Sequence, residues 1–123
     1  MKGGRIDKPR SIRPRIRARV TSVDDVARLA VGFLARRDRT VAQVQQFLIS
    51  HGVSSLLVKQ TIRRLSDLRY LHDPAYAQGW VERRLVSRPM GPARIKAELQ
   101  AKGIAETVAD RVIADAFREV GEE

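Results

Sequence analysis

A chain of 123 residues has room for one modest core or two very small ones, and with 5% aromatics that core must be aliphatic. The absence of cysteine excludes disulfides, thiolate metal sites and cysteine nucleophiles, and no apolar run approaches the ~18 residues of a membrane span. The net charge of +10 is unevenly placed: residues 1–20 hold eight basic side chains against Asp7 alone, whereas the other 103 hold sixteen against thirteen.

Residues 1–21 therefore read as a basic arm. Its self-repelling charge, with Pro9 and Pro14, cannot bury enough apolar surface to fold alone, so disorder is expected. Arg10, Arg13, Arg15, Arg17 and Arg19 suit a polyanion, and DNA is the expected one.

From residue 22 the pattern is helical throughout. Ser22-Val-Asp-Asp25 forms a capping signal, and Val26, Leu29, Ala30, Phe33 and Leu34 recur at helical spacing, which predicts a first helix to about Arg37. Thr40-Val-Ala-Gln43 opens a second helix carrying Val44, Phe47 and Leu48, and Gly52 stops it, because glycine enters the left-handed position past a helix end without strain. Ser54 or Ser55 caps a third, with Val58, Ile62, Leu65 and Leu68 along it. Asp73-Pro74 opens the fourth, with aspartate expected at the N-cap and proline in the first turn, and Ala77, Trp80, Val81 and Leu85 form its apolar stripe. Gly91-Pro92 opens the fifth, Ile95 and Leu99 face inward, and Gly103 ends it. The sixth begins near Glu106 and carries Val108, Val112, Ile113, Ala116 and Phe117. No stretch alternates with period two, so strands are not expected.

A shift of 51 residues sets Leu34 on Leu85, Arg37 on Arg88, Ala42 on Ala93, Leu48 on Leu99, Gly52 on Gly103, Val53 on Ile104 and Ile62 on Ile113. The matches fall on caps, stops and core positions. The chain is thus expected to be all-α, with about six helices forming two tandem three-helix repeats, 22–71 and 72–121, behind the arm 1–21.

The order and spacing of several short motifs resemble the RecX family. They are Leu34-Ala-Arg-Arg-Asp38, Thr40 and Gly52 in the first repeat, and Tyr70-Leu71, Asp73 and Tyr76-Ala77 between repeats. Gly91-Pro92, Arg94-Ile95, Glu98-Leu99 and Lys102-Gly103-Ile104 in the second are the most specific. The chain departs from that pattern at Arg69, where RecX-like chains often place glycine, at His72, where they have a second aspartate, and at Gln43, where they tend to be acidic. It carries two repeats where family members commonly have three. The resemblance implies a bacterial cytoplasmic regulator that binds RecA and its DNA filament. Such a protein inhibits ATPase, recombinase and co-protease activity in DNA repair and the SOS response.

On that reading the filament-binding side chains are Arg36, Arg37, Arg39, Arg63, Arg64, Arg83, Arg84, Arg88, Arg94, Lys96 and Lys102. Solvated helix faces account for any one of them, and a cation near a helix C-terminus is worth roughly 0.3–1 kcal/mol without a partner. As a set they are one-sided in sign, and arginine suits carboxylate and phosphate alike. The alternative is a nonspecific module that binds single- or double-stranded DNA through the arm and the arginines. Arg94 and Glu98 stand at i,i+4 and are expected to pair; Tyr70 and Tyr76 are expected to pack, Trp80 to join the core, and His51 and His72 to serve as surface or capping residues. No catalytic residue, metal site or cofactor motif is found, so an enzyme is not expected, and the chain is expected to be a monomer without a membrane partner.

Overall fold

A computed structural model of the chain describes residues 22–87 and 90–121. It contains the six helices that periodicity predicts: α1 (Val23–Leu34), α2 (Val41–Ser50), α3 (Ser55–Asp67), α4 (Asp73–Ser87), α5 (Pro92–Ala101) and α6 (Glu106–Gly121), with no strand among the described residues. The basic arm lies outside the described residues. Contacts divide the described chain into two compact units, one of residues 22–37 with 44–70, the other of residues 38–43 with 71–121.

In the first unit α1 packs on α3, and the buried side chains are Val26, Ala30, Val44, Leu48, Val53, Val58, Thr61 and Leu65. Phe33 stacks on Phe47 with ring centroids 4.0 Å apart, and the His51 ring leans on Phe47 while its Nδ1 lies 2.9 Å from the Phe47 carbonyl. Ser22 caps α1 by accepting from Asp25 N–H, and Ser54 caps α3 by accepting from Leu57 N–H. Asp24 pairs with Arg64 across α1 and α3, and this guanidinium holds the Asp24 carboxyl below the usual aspartate range.

The second unit is built on Ala77 and Val81 of α4, Ile95 and Leu99 of α5, and Ile104, Ala109 and Ile113 at and within α6. Val108, Val112, Ala116 and Phe117 close over that cluster from α6. Helix α6 lies against both α4 and α5. Residues 38–43 contribute a buried polar joint. Thr40 Oγ1 accepts from Gln43 N–H at 3.1 Å, and Gln43 Oε1 accepts in return from Thr40 N–H at 3.0 Å, a complete capping box at the start of α2. The same Thr40 hydroxyl donates to the Lys102 carbonyl at 2.7 Å, and Val41 N–H donates to Asp73 Oδ1 at 2.9 Å.

Three helices end in the same way. Past α2, α3 and α5 the chain turns through a left-handed residue: Gly52 at φ 82°, Arg69 at φ 67° and Gly103 at φ 87°. At each, the following N–H reaches back to the helix: Val53 to the Leu48 carbonyl, Tyr70 to Leu65 and Ile104 to Leu99, at 2.9–3.1 Å. The arginine at the middle position is strained where glycine would not be. Arg69→Gly is therefore expected to raise stability by about 0.5–1 kcal/mol, read as a higher melting temperature.

Several local expectations are corrected. Helix α1 stops at Leu34 instead of running to Arg37, because the Ala35 N–H closes the last turn on Val31 and the chain then leaves helical register. Leu68 is not a core residue of α3: it occupies the C-cap and is 60% exposed. Tyr70, expected to pack, is 53% exposed. Asp73 is not the N-cap of α4. His72 takes that place, its Nδ1 accepting from Ala75 N–H at 3.2 Å and its carbonyl from Tyr76 N–H at 3.0 Å. Asp73 is free to serve elsewhere, and its carboxylate meets the positive N-terminal end of α2.

Candidate functional site

The second unit gathers charge around one aromatic ring. Helix α4 places Trp80, Arg84 and Ser87 at i, i+4 and i+7, and α5 places Arg94 and Glu98 at i and i+4, with Lys102 at its C-cap at i+8. Each set is one stripe of its helix, and the two stripes meet. Glu98 Oε1 accepts from Trp80 Nε1 at 2.8 Å and from Arg84 Nε at 2.8 Å. The Arg84 guanidinium lies 4.5 Å from the Trp80 ring centre, the Lys102 ammonium 4.3 Å and the Arg83 guanidinium 5.8 Å, all within cation–π range. Tyr76 lies along the same ring, with its plane only 8° from that of Trp80. The Arg84 hydrogen bond, and next that of Trp80, hold the Glu98 carboxyl below the usual glutamate range, so it stays ionised at neutral pH. Beside this cluster a recess of about 360 Å³ is lined by Arg84, Ser87, Met90, Arg94 and Glu98.

Arg94 and Glu98, expected to pair on the surface of α5, do not bond to each other. Glu98 turns to α4 instead, where two donors converge on it, and Arg94 is left exposed with no hydrogen bond or ion pair among the described residues. Trp80 sits half-buried at the margin of the apolar cluster.

The other candidate cations are dispersed. Arg36 and Arg37 are exposed in the turn after α1, and Arg39 is half-buried before α2. Arg63 and Arg64 are exposed on α3, the latter held by Asp24. Lys96 points to α6, where Glu106 at 2.9 Å and Asp110 at 3.0 Å bind its ammonium and raise its pKa. Arg88 lies outside the described residues, as do Arg10, Arg13, Arg15, Arg17 and Arg19. Of the candidates, then, Arg83, Arg84, Arg94 and Lys102 come together. Ser87 and Met90 complete the place and were not singled out from sequence, whereas Glu98 was expected only as a surface partner of Arg94. Two polar stripes at helical spacing, one on each side of Met90, were the available signal.

Among the described residues no group of three or more His, Cys, Asp or Glu could hold a metal ion, and no helix is long and apolar enough to cross a membrane. The cluster thus combines fixed cations, one committed carboxylate and a recess on a three-helix scaffold.

These features define an all-α protein, among the described residues, in which helices α4 to α6 carry a RecX-type three-helix domain: the model of "RecX, second three-helix domain" matches residues 73–113. Over most of the described residues the chain is similar to proteins of the RecX family. Regulatory protein RecX of Lactobacillus delbrueckii subsp. bulgaricus is 32% identical over 87 residues, which are 71% of this chain and 32% of that protein. Regulatory protein RecX of Streptococcus equi subsp. zooepidemicus is 32% identical over 85 residues, 69% of this chain and 33% of that one. The crystal structure of RecX from Lactobacillus salivarius superposes with a TM-score of 0.72 at 26% identity, covering 75% of this chain and 60% of that chain. The chain spans about a third of the length of the curated relatives it matches.

Proposed function

We propose that the chain is a regulator that works by binding RecA and its DNA filament, restraining ATP hydrolysis, strand exchange and co-protease activity in the bacterial cytoplasm. The observation that carries this reading is the match of residues 73–113 to the RecX three-helix domain, over the stretch in which Arg84, Arg94 and Lys102 stand on one surface. Such a protein needs no catalytic group. Small helical units can each make a modest contact, and contacts made together on one filament add in effect through their high local concentration. The arm contributes a second kind of contact: Arg10, Arg13, Arg15, Arg17 and Arg19 meet DNA phosphates, single- or double-stranded, and the chain acts as a monomer.

The test is DNA-dependent ATP hydrolysis by RecA across a concentration series of the chain, with DNA in excess. Slower hydrolysis is expected. Full activity at every concentration, with the chain folded and filaments intact, rejects the reading. Inhibition that disappears as DNA is raised would mean that the arm merely competes for DNA.

A further inference from the structure

The 51-residue repeat supplies an internal control for the charged cluster. The shift that sets Leu34 on Leu85 and Leu48 on Leu99 also sets Phe33 on Arg84 and Phe47 on Glu98. In the first unit that pair of positions is an aromatic stack, with centroids 4.0 Å apart; in the second it is an ion pair, with nitrogen and oxygen 2.8 Å apart. The three-helix scaffold therefore closes well with apolar side chains at these places. A half-buried ion pair in their stead adds little stability over a well-packed apolar pair. Packing alone does not ask for it.

The charge that results is unbalanced. Arg84 and Arg94 line the recess against Glu98 alone, and Lys102 adds a further cation on Trp80 close by. Among the described residues the Arg84 side chain donates through Nε to Glu98 Oε1, which leaves its two terminal amino groups as donors. Arg94 has every donor uncommitted among the described residues. The Ser87 hydroxyl and the Met90 side chain complete the lining.

We propose that this recess between α4 and α5 seats an aspartate or glutamate side chain presented by a polypeptide partner, with Arg94 and the free edge of Arg84 as its donors. A planar guanidinium matches a carboxylate through two parallel bonds. The resident Glu98 charge tolerates a monoanion better than a phosphate dianion. Met90 gives the methylenes of an acidic side chain an apolar wall. Nucleic acid is the poorer occupant, because Trp80 already carries two cations within 4.5 Å of its ring centre and offers no clear face to a base. The proposal rests on the RecA-directed reading only for the identity of the partner.

Trp80 is the only tryptophan of the chain, so its emission reports on this place alone. The full chain is titrated at low salt with acetylated tetraglutamate peptide, tetralysine peptide, inorganic phosphate and a short DNA duplex. A saturable change in Trp80 emission is expected with tetraglutamate only; Arg94→Glu abolishes it and Arg94→Lys retains part of it. Binding of Arg94→Glu to RecA filaments is expected to fall by about tenfold or more. No response to tetraglutamate, an equal response in Arg94→Glu, or an equal response to phosphate or duplex overturns the proposal. A wild-type chain that answers tetraglutamate but does not bind filaments leaves the carboxylate seat standing and removes RecA as the partner. A chain that binds filaments equally well as Arg94→Glu, without a Trp80 response, does the reverse.

Discussion

Gly103→Ala is expected to destabilise the second unit by about 3–4 kcal/mol, seen as an early cooperative loss of helical signal on heating. Two effects add. At φ 87° the backbone occupies the left-handed region, where a side chain costs roughly 1–2 kcal/mol. A Cβ at this position would also stand 2.3 Å from the Cβ of Ala42, a distance that forces the backbone of one segment to move. Overpacking of this kind costs typically about 1–3 kcal/mol. The two parts separate in a double-mutant cycle with Ala42→Gly, which removes the collision and leaves the dihedral penalty. A coupling of about 1 kcal/mol or more is expected, and strict additivity would show that Ala42 is not the obstacle. Gly52, at φ 82°, has the same dihedral demand.

Thr40→Val is expected to cost about 2–3 kcal/mol although it conserves volume. Thr40 is fully buried, and its hydroxyl works in both directions, accepting from Gln43 N–H and donating to the Lys102 carbonyl. Valine removes the cap of α2, worth about 0.5–2 kcal/mol, and leaves a carbonyl without that donor. Thr40→Ser keeps the hydroxyl and loses a methyl, so its cost should be about 1 kcal/mol. Denaturant midpoints of the two variants give the comparison. A serine variant as unstable as the valine variant would place the effect in the methyl group instead of the hydrogen bonds.

How much of this was legible in the sequence follows the range of the forces involved. Ser22, the Thr40–Gln43 box, Ser54, Gly91-Pro92, Gly52 and Gly103 act within one turn of a helix, and each was readable because its partner is three or four residues away. The exceptions have long-range causes. Asp73 has the chemistry of an N-cap, but α2 lies within its reach and takes its carboxylate, which leaves the role to His72. Glu98 has a convenient arginine four residues back, but the donors it uses stand 14 and 18 residues away on α4. Arg69 gives no glycine signal at all; only the resemblance of its neighbours to a family that often has glycine there marked the position. The recess was beyond reach for the same reason, since it needs two stripes to be brought side by side, and spacing within one helix does not say which other helix it will meet.

The second unit takes residues 38–43 from a point in the chain some thirty residues before its main body, which begins at Leu71. Sequence duplication and structural completeness are thus different divisions of this chain. During synthesis, Thr40 and Val41 leave the ribosome well before Asp73 and Lys102, the residues whose groups they bond, exist outside it. The N-terminal turn of α2 must then wait for its Asp73 bond until α4 begins to emerge, and for its Lys102 bond until α5 has emerged. A recombinant fragment cut to start at His72 would keep three helices and the Trp80 cluster, yet would lack the threonine that receives the end of α5.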